Sequence, residues 1–277
     1  MAFDRIEEVF LRLNAGRHFV ALTYRLRRGN EATDGHVSCF VVELANVWFL
    51  LTAGHVIKGE NGLERAAAEG YRLDKVQIVD AFAGRSTTPL PITFELAEWV
   101  AIDNDELGLD FAALPLKQFF CEGLAAVGVS PIESHAIGQA EFHDDSQLVI
   151  VGVPTESFKL KGNDGTMKLL LVPLTEYGGS DFPVKGDTVL ATMGENPAEE
   201  AHRVNDIAGM SGCPVFRIVN KAGQQKKYWA VGVQSGWYAS HRVVRFCPID
   251  RFVAALEDGV RQYQERHGRE PGSCAGS

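Results

Sequence analysis

No run of this 277-residue chain approaches the roughly 18 consecutive apolar residues that a helix needs to cross a bilayer. The opening, Met1-Ala-Phe-Asp-Arg-Ile-Glu-Glu, is charged within four residues and has neither the apolar core nor the small-residue cleavage site of a secretory signal. Cysteine is scarce and odd in number. Cys39, Cys121, Cys213, Cys247 and Cys274 show no disulfide-framework spacing, and no Asn-x-Ser/Thr sequon occurs. Together these absences lead us to expect a reducing compartment, the cytoplasm. Positive charge is in deficit too: the formal balance is −9, and no basic block exists to displace counterions from phosphates. That argues against nucleic acid as a partner and reads as a contribution to solubility. No glycine loop of Walker or Rossmann spacing is present, nor any Cys-x-x-Cys or His-x-x-x-His pair. His143, Asp144, Asp145 and His202 lack ligand spacing and read as solvated surface, so neither a metal nor a cofactor is expected. Repeats of fixed period and low-complexity tracts are also missing.

What is present is 45% apolar residues, 28 glycines and 11 prolines. A chain of this length can bury one large core or two small ones in close contact. Phe3, Ile6, Val9, Phe10 and Leu13 recur at helical spacing, which predicts a short N-terminal helix within residues 1–17. From Phe19 the period changes to that of strands rich in Val, Phe, Thr and Leu: 19–26, 37–43, 47–52, 76–83, 91–95 and 111–116. The stretch 117–145 is less patterned and is read as a crossing between two halves. Further strands follow at 148–153, 169–174, 188–193, 214–219, 229–233 and 243–247. Pro248-Ile249-Asp250 then starts a helix with Phe252, Val253 and Leu256 on its buried face, and the tail after His267 is expected to be disordered. The pattern predicts an all-β architecture, barrel or sandwich, with helices at the ends.

Three segments carry chemistry. In Phe49-Leu50-Leu51-Thr52-Ala53-Gly54-His55 an apolar strand ends in small residues and presents one imidazole, which titrates near neutral pH and can act as a general base. In Gly108-Leu109-Asp110-Phe111 a carboxylate is set against an apolar strand, where burial is unfavourable unless the charge is paired; an imidazole N–H is such a partner. In Gly209-Met210-Ser211-Gly212-Cys213-Pro214 glycines flank a serine, allowing a sharp turn with the N–H groups of Gly209 and Ser211 pointing outward as an oxyanion hole. Each segment alone has a plain alternative: a histidine finishing a strand, a turn aspartate, a glycine-rich hairpin.

In combination, the order His55, Asp110, Ser211 with these local contexts resembles the trypsin-like serine peptidases of small bacterial type, over roughly residues 18–258. The resemblance implies two antiparallel six-stranded β-barrels of the chymotrypsin type. The first, residues 18–130, would supply His55 and Asp110. The second, with the start of the C-terminal helix, would occupy 131–258 and supply Ser211, leaving 259–277 as helix end and tail. It further implies endopeptidase activity on polypeptides through an acyl-enzyme. Val233, Gln234, Ser235 and Gly236 would pair with extended substrate, and Asn205 would stand at the floor of the first specificity pocket, or Asp206 if the register moves by one. Two residues depart from the pattern. Met210 stands where zymogen-activated relatives usually carry an aspartate that pairs with a new N-terminus, so that activation route looks unavailable. Cys213 replaces a usual glycine and is read as packing. A competing reading keeps the fold as a latent module that binds or awaits a regulatory protein partner, and a third makes it an esterase with the same triad. The sequence leaves the oligomeric state open.

Overall fold

The computed structural model describes residues 5–80, 89–161, 164–193, 204, 206–219 and 226–267. The expected tail, Asn205 and His202 lie outside the described residues. Helix α1 (Arg5–Asn14) opens the chain. Strands β1 (Phe19–Arg28), β2 (Glu31–Leu44) and β3 (Val47–Thr52) follow, then helices α2 (Gly54–Lys58) and α3 (Leu63–Ala68). Next come β4 (Arg72–Val79), β5 (Leu90–Pro91), β6 (Val100–Asn104), β7 (Leu109–Pro115), helix α4 (Gln118–Ala126) and β8 (Ile132–Glu133). The remainder is β9 (Ser146–Gly152), β10 (Phe158–Lys161), β11 (Asp164–Met167), β12 (Leu170–Glu176), β13 (Val189–Met193), β14 (Pro214–Val219), β15 (Lys227–Tyr238), β16 (Val243–Pro248) and helix α5 (Asp250–His267).

The strands divide into two main sheets. β9 and β12–β16 close into a six-stranded barrel in the order β12-β13-β16-β15-β14-β9, with β9 pairing β12 to complete the ring. The first sheet runs β5-β4-β1-β2-β3-β7-β6, with β8 joined in parallel to β2. Among the described residues its two ends are not hydrogen-bonded, so one closed barrel and one open sheet stand where two closed barrels were expected. At the β5 end Pro89 and Pro91 have no N–H to donate to a ladder. Side chains bridge the gap instead: Ile78, Ile92 and Trp99, from both ends of the sheet, share one core with Val20, Leu22, Val41 and Leu50.

Strand side chains alternate between faces. In β1, Val20 and Leu22 enter that inner core, while Phe19 and Ala21 enter the core continuous with the barrel. Both faces are thus buried, which explains why β1–β3 read as unbroken apolar runs rather than alternating ones. Phe111 of β7 stacks on Phe252 of α5 with ring centroids 4.7 Å apart, fastening the C-terminal helix across the sheet. Helix α4 occupies part of the weakly patterned 117–145 stretch and turns Phe120, Cys121 and Leu124 into the inner core.

Candidate active site

β3 carries the chain to Thr52, and His55 stands in the first turn of α2 rather than at the strand end itself. β3 and β7 are antiparallel neighbours, with Thr52 opposite Ala112, so Asp110 arrives beside α2. Asp110 lies within β7, one residue inside its start. Its carboxylate holds His55 at two points: Oδ1 accepts the backbone N–H at 2.7 Å, and Oδ2 lies 2.7 Å from Nδ1. The Asp110 side chain is 7% exposed and that of His55 is 36% exposed, so the acid is enclosed and the imidazole reaches solvent. Burial pulls the His55 pKa down, but the hydrogen bond and charge of Asp110, joined by the charge of Asp103, outweigh it. The pKa therefore stands above its ordinary 6.5, with Arg245 opposing the rise. Asp103, opposite Asp110 across β6 and β7, is itself raised by burial and by the Asp110 charge.

Ser211 lies on the turn that leads into β14, half-buried. Gly209 and Gly212 both take positive φ, +86° and +92°, which side-chain-bearing residues rarely adopt. Gly212 is also pressed against the end of β3: a Cβ there would lie 2.0 Å from Thr52 Oγ1 and 3.0 Å from Ala53 N. This places Ser211 beside the segment that presents His55. A relay of hydroxyls secures the approach, since Thr52 donates to Ser38 O at 2.8 Å and Ser38 Oγ donates to Gly209 O at 2.9 Å. Thr155 N–H donates to Ala208 O at 2.8 Å. In a trans peptide the next N–H points the opposite way, so that of Gly209 faces away from Thr155. Among the described residues neither Gly209 N–H nor Ser211 N–H meets a protein acceptor. No hydrogen bond joins the Ser211 hydroxyl to His55 there either; such bonds are often long until substrate is bound. Met210 is fully buried, so packing holds this turn. The Cys213 thiol, also fully buried, is pushed up to about 12 by burial.

Val233, Gln234, Ser235 and Gly236, expected to pair with substrate, all lie in β15. Gln234 is already paired on both backbone groups: its N–H donates to Cys213 O at 2.9 Å, and its C=O accepts from Gly212 N–H at 2.9 Å. Val233 pairs with Pro214 and Cys247 on either side. Val233, Gln234 and Ser235 are buried, and Gly236 is half-buried. β14 leaves β15 at Val233, whereas β16 continues with Gly236, Trp237 and Tyr238 opposite Arg245, Val244 and Val243. The edge without a strand partner among the described residues therefore runs over 235–238. Asp206 is described and exposed; its Oδ1 accepts Ala208 N–H at 2.9 Å and Trp237 Nε1–H at 2.8 Å. Ser38, Thr155 and this Trp237–Asp206 bond escaped the sequence reading, because each acts through a contact between segments distant along the chain. Among the described residues no group of three or more His, Cys, Asp or Glu side chains is arranged to hold a metal ion, and no helix is long and apolar enough to cross a membrane.

No protein-family model matches the chain, and neither does any curated protein sequence. Solved structures do match. The protease Anisep from Arthrobacter nicotinovorans superposes with a TM-score of 0.51 at 14% identity, over 88% of this chain and 96% of that one. Deg5 gives 0.49 at 18% identity over 91% and 94%, and a thermostable serine protease, AL20, from an extremophilic microorganism gives 0.47 at 14% over 90% and 98%. At such identities a likeness speaks for the fold alone, and the chain shares with Anisep the trypsin-like fold that the three motifs implied.

Proposed function

We propose that this protein is a serine endopeptidase acting on polypeptides. The observation that carries the reading is the two-point grip of a buried Asp110 on His55, next to a glycine turn that presents Ser211. Asp110 fixes the tautomer with a proton on Nδ1 and leaves Nε2 free to accept. Ser211 Oγ attacks the peptide carbonyl as His55 takes its proton; His55 then protonates the leaving amine, and water completes the reverse sequence on the acyl-enzyme. The N–H groups of Gly209 and Ser211 bind the developing oxyanion, a contribution whose loss elsewhere lowers turnover about 10²–10³-fold per donor. Substrate adds as a strand along 235–238, where β15 has no second strand partner among the described residues. The open first sheet, curled around its own core, is the counterpart of the first barrel of the chymotrypsin type. The test is incubation of purified protein with denatured polypeptides, scored for new N-termini. Cleavage that falls on the order of 10⁶-fold in Ser211→Ala supports the assignment, and equal cleavage by that variant removes it.

Among the described residues no hydrogen bond joins Ser211 to His55, which is compatible with a second reading: a latent module whose site is completed by a regulatory partner. An intact protein that cleaves nothing alone but acquires Ser211-dependent cleavage with a partner would establish it.

A further inference from the structure

We infer that Trp237 and Asp206 close the pocket beside Ser211 to large side chains, so that the site takes substrates with a small residue (glycine, alanine or serine) on the acyl side of the cleaved bond. This rests on the protease reading above.

Two segments wall the space next to Ser211. One runs from Asp206 to Ser211; the other is the end of β15 from Ser235 to Tyr238. They are pinned together at one end, where Gly212 and Cys213 bond to both backbone groups of Gln234. From that point they diverge. A carbonyl held by the N–H groups of Gly209 and Ser211, on a chain lying along 235–238, must send its side chain between them. At the far end of this gap the structure places a second link, the bond of 2.8 Å from Trp237 Nε1–H to Asp206 Oδ1. The two walls and two links form a ring, and the indole lies across it.

The crossbar is held from both sides. Asp206 Oδ1 also accepts Ala208 N–H at 2.9 Å, which fixes the carboxylate to its own turn. Trp237 is held in the ladder opposite the buried Val244, and its neighbour Tyr238 stacks on Phe182 with centroids 4.3 Å apart. Ile207, within the first wall, and Val243, opposite Tyr238 across β15 and β16, are buried and apolar.

The test uses peptidyl phosphonate esters that differ only in the side chain next to phosphorus (Ala, Phe or Lys), with a fluorophosphonate lacking any such side chain as the control. The intact protein should react with the Ala probe about 100-fold faster than with Phe or Lys, the discrimination that a pocket of fixed size provides. Trp237→Gly should raise the Phe-to-Ala ratio measured within that variant by a similar factor. Asp206→Ala, which frees the indole, should raise it in the same direction, and it keeps the test open if the glycine variant does not fold. Because each ratio is internal to one protein, a uniform loss of reactivity does not disturb it. Equal reaction of the intact protein with Phe and Ala probes, or ratios unmoved by both substitutions, overturns the inference. A fluorophosphonate that fails to label the intact protein refutes the protease reading itself, and the pocket assignment falls with it.

Discussion

Replacing Asp110 with asparagine separates the proposed base from a merely well-packed histidine. In the native site one oxygen accepts the backbone N–H of His55 and the other lies 2.7 Å from Nδ1. Asparagine offers one oxygen and one NH₂ group in nearly the same shape. The backbone N–H can only donate, so the amide oxygen must face it, and the NH₂ is left facing Nδ1. Nδ1 must then accept, and the ring proton moves to Nε2. In that tautomer Nε2 cannot take the Ser211 proton. The expected loss is about 10⁴ in the rate of serine modification, the magnitude known for this substitution in trypsin-like enzymes. At 1.36 kcal/mol per tenfold that is about 5.4 kcal/mol of barrier. Both contacts survive with altered polarity, so stability should change by only about 1–2 kcal/mol, a shift of a few degrees in the thermal midpoint. The assay is the labelling rate with a fluorophosphonate near neutral pH, alongside thermal unfolding. A variant that folds and labels within about tenfold of the native rate would refute the argument, because the tautomer would then be irrelevant.

Other consequences follow from the same geometry. Gly212→Ala puts a Cβ 2.0 Å from Thr52 Oγ1 at a φ of +92°, so it should lose about 1–3 kcal/mol of stability and most labelling; unchanged unfolding and labelling would contradict the close approach. The acid limb of the rate against pH should lie above 6.5, because only the neutral imidazole can accept a proton and its pKa is raised. Asp103→Asn removes one of the raising charges and should move that limb to lower pH, less so in high salt; a limb that stays in place would dissociate Asp103 from His55. The interactions that raise His55 stabilise the fold while the ring is protonated, and that contribution is lost as pH rises through its folded-state value. Cys213 should resist alkylation in the native protein, because its thiol is fully buried and pushed up to about 12; rapid native labelling at Cys213 would show the turn to be open.

How much of this was legible in the chain depends on how local each signal is. Strands β1 and β3 were readable because apolar side chains stand on both of their faces, as in Val47-Trp48-Phe49-Leu50-Leu51. Helix α4 was not, since Phe119 and Phe120 followed by Gly123 blur the helical period, and only packing of Phe120, Cys121 and Leu124 decides it. The short helix α2 was hidden in the motif itself: five residues cannot establish a period, and the Asp110 carboxylate caps its backbone through His55 N–H. β6 went unread because its burial is mixed and its partner, β7, is defined by pairing rather than composition. In the site, His55 and Asp110 stood out because burial of a carboxylate requires a partner, and the structure joins them. The Thr52–Ser38–Gly209 relay had no such signature, since serine and threonine within strands are ordinary surface residues until their neighbours are known. Trp237 has no such signature either; only its indole N–H bond to Asp206 gives it a place.

The central claim is that Ser211 is an activated nucleophile, and the most direct measurement is the intact mass of the protein after fluorophosphonate treatment, with peptide mapping of the adduct. The account predicts a single adduct on Ser211, formed within minutes and abolished by His55→Ala as well as by Ser211→Ala. An adduct on another residue, or one on Ser211 that persists without His55, would contradict it.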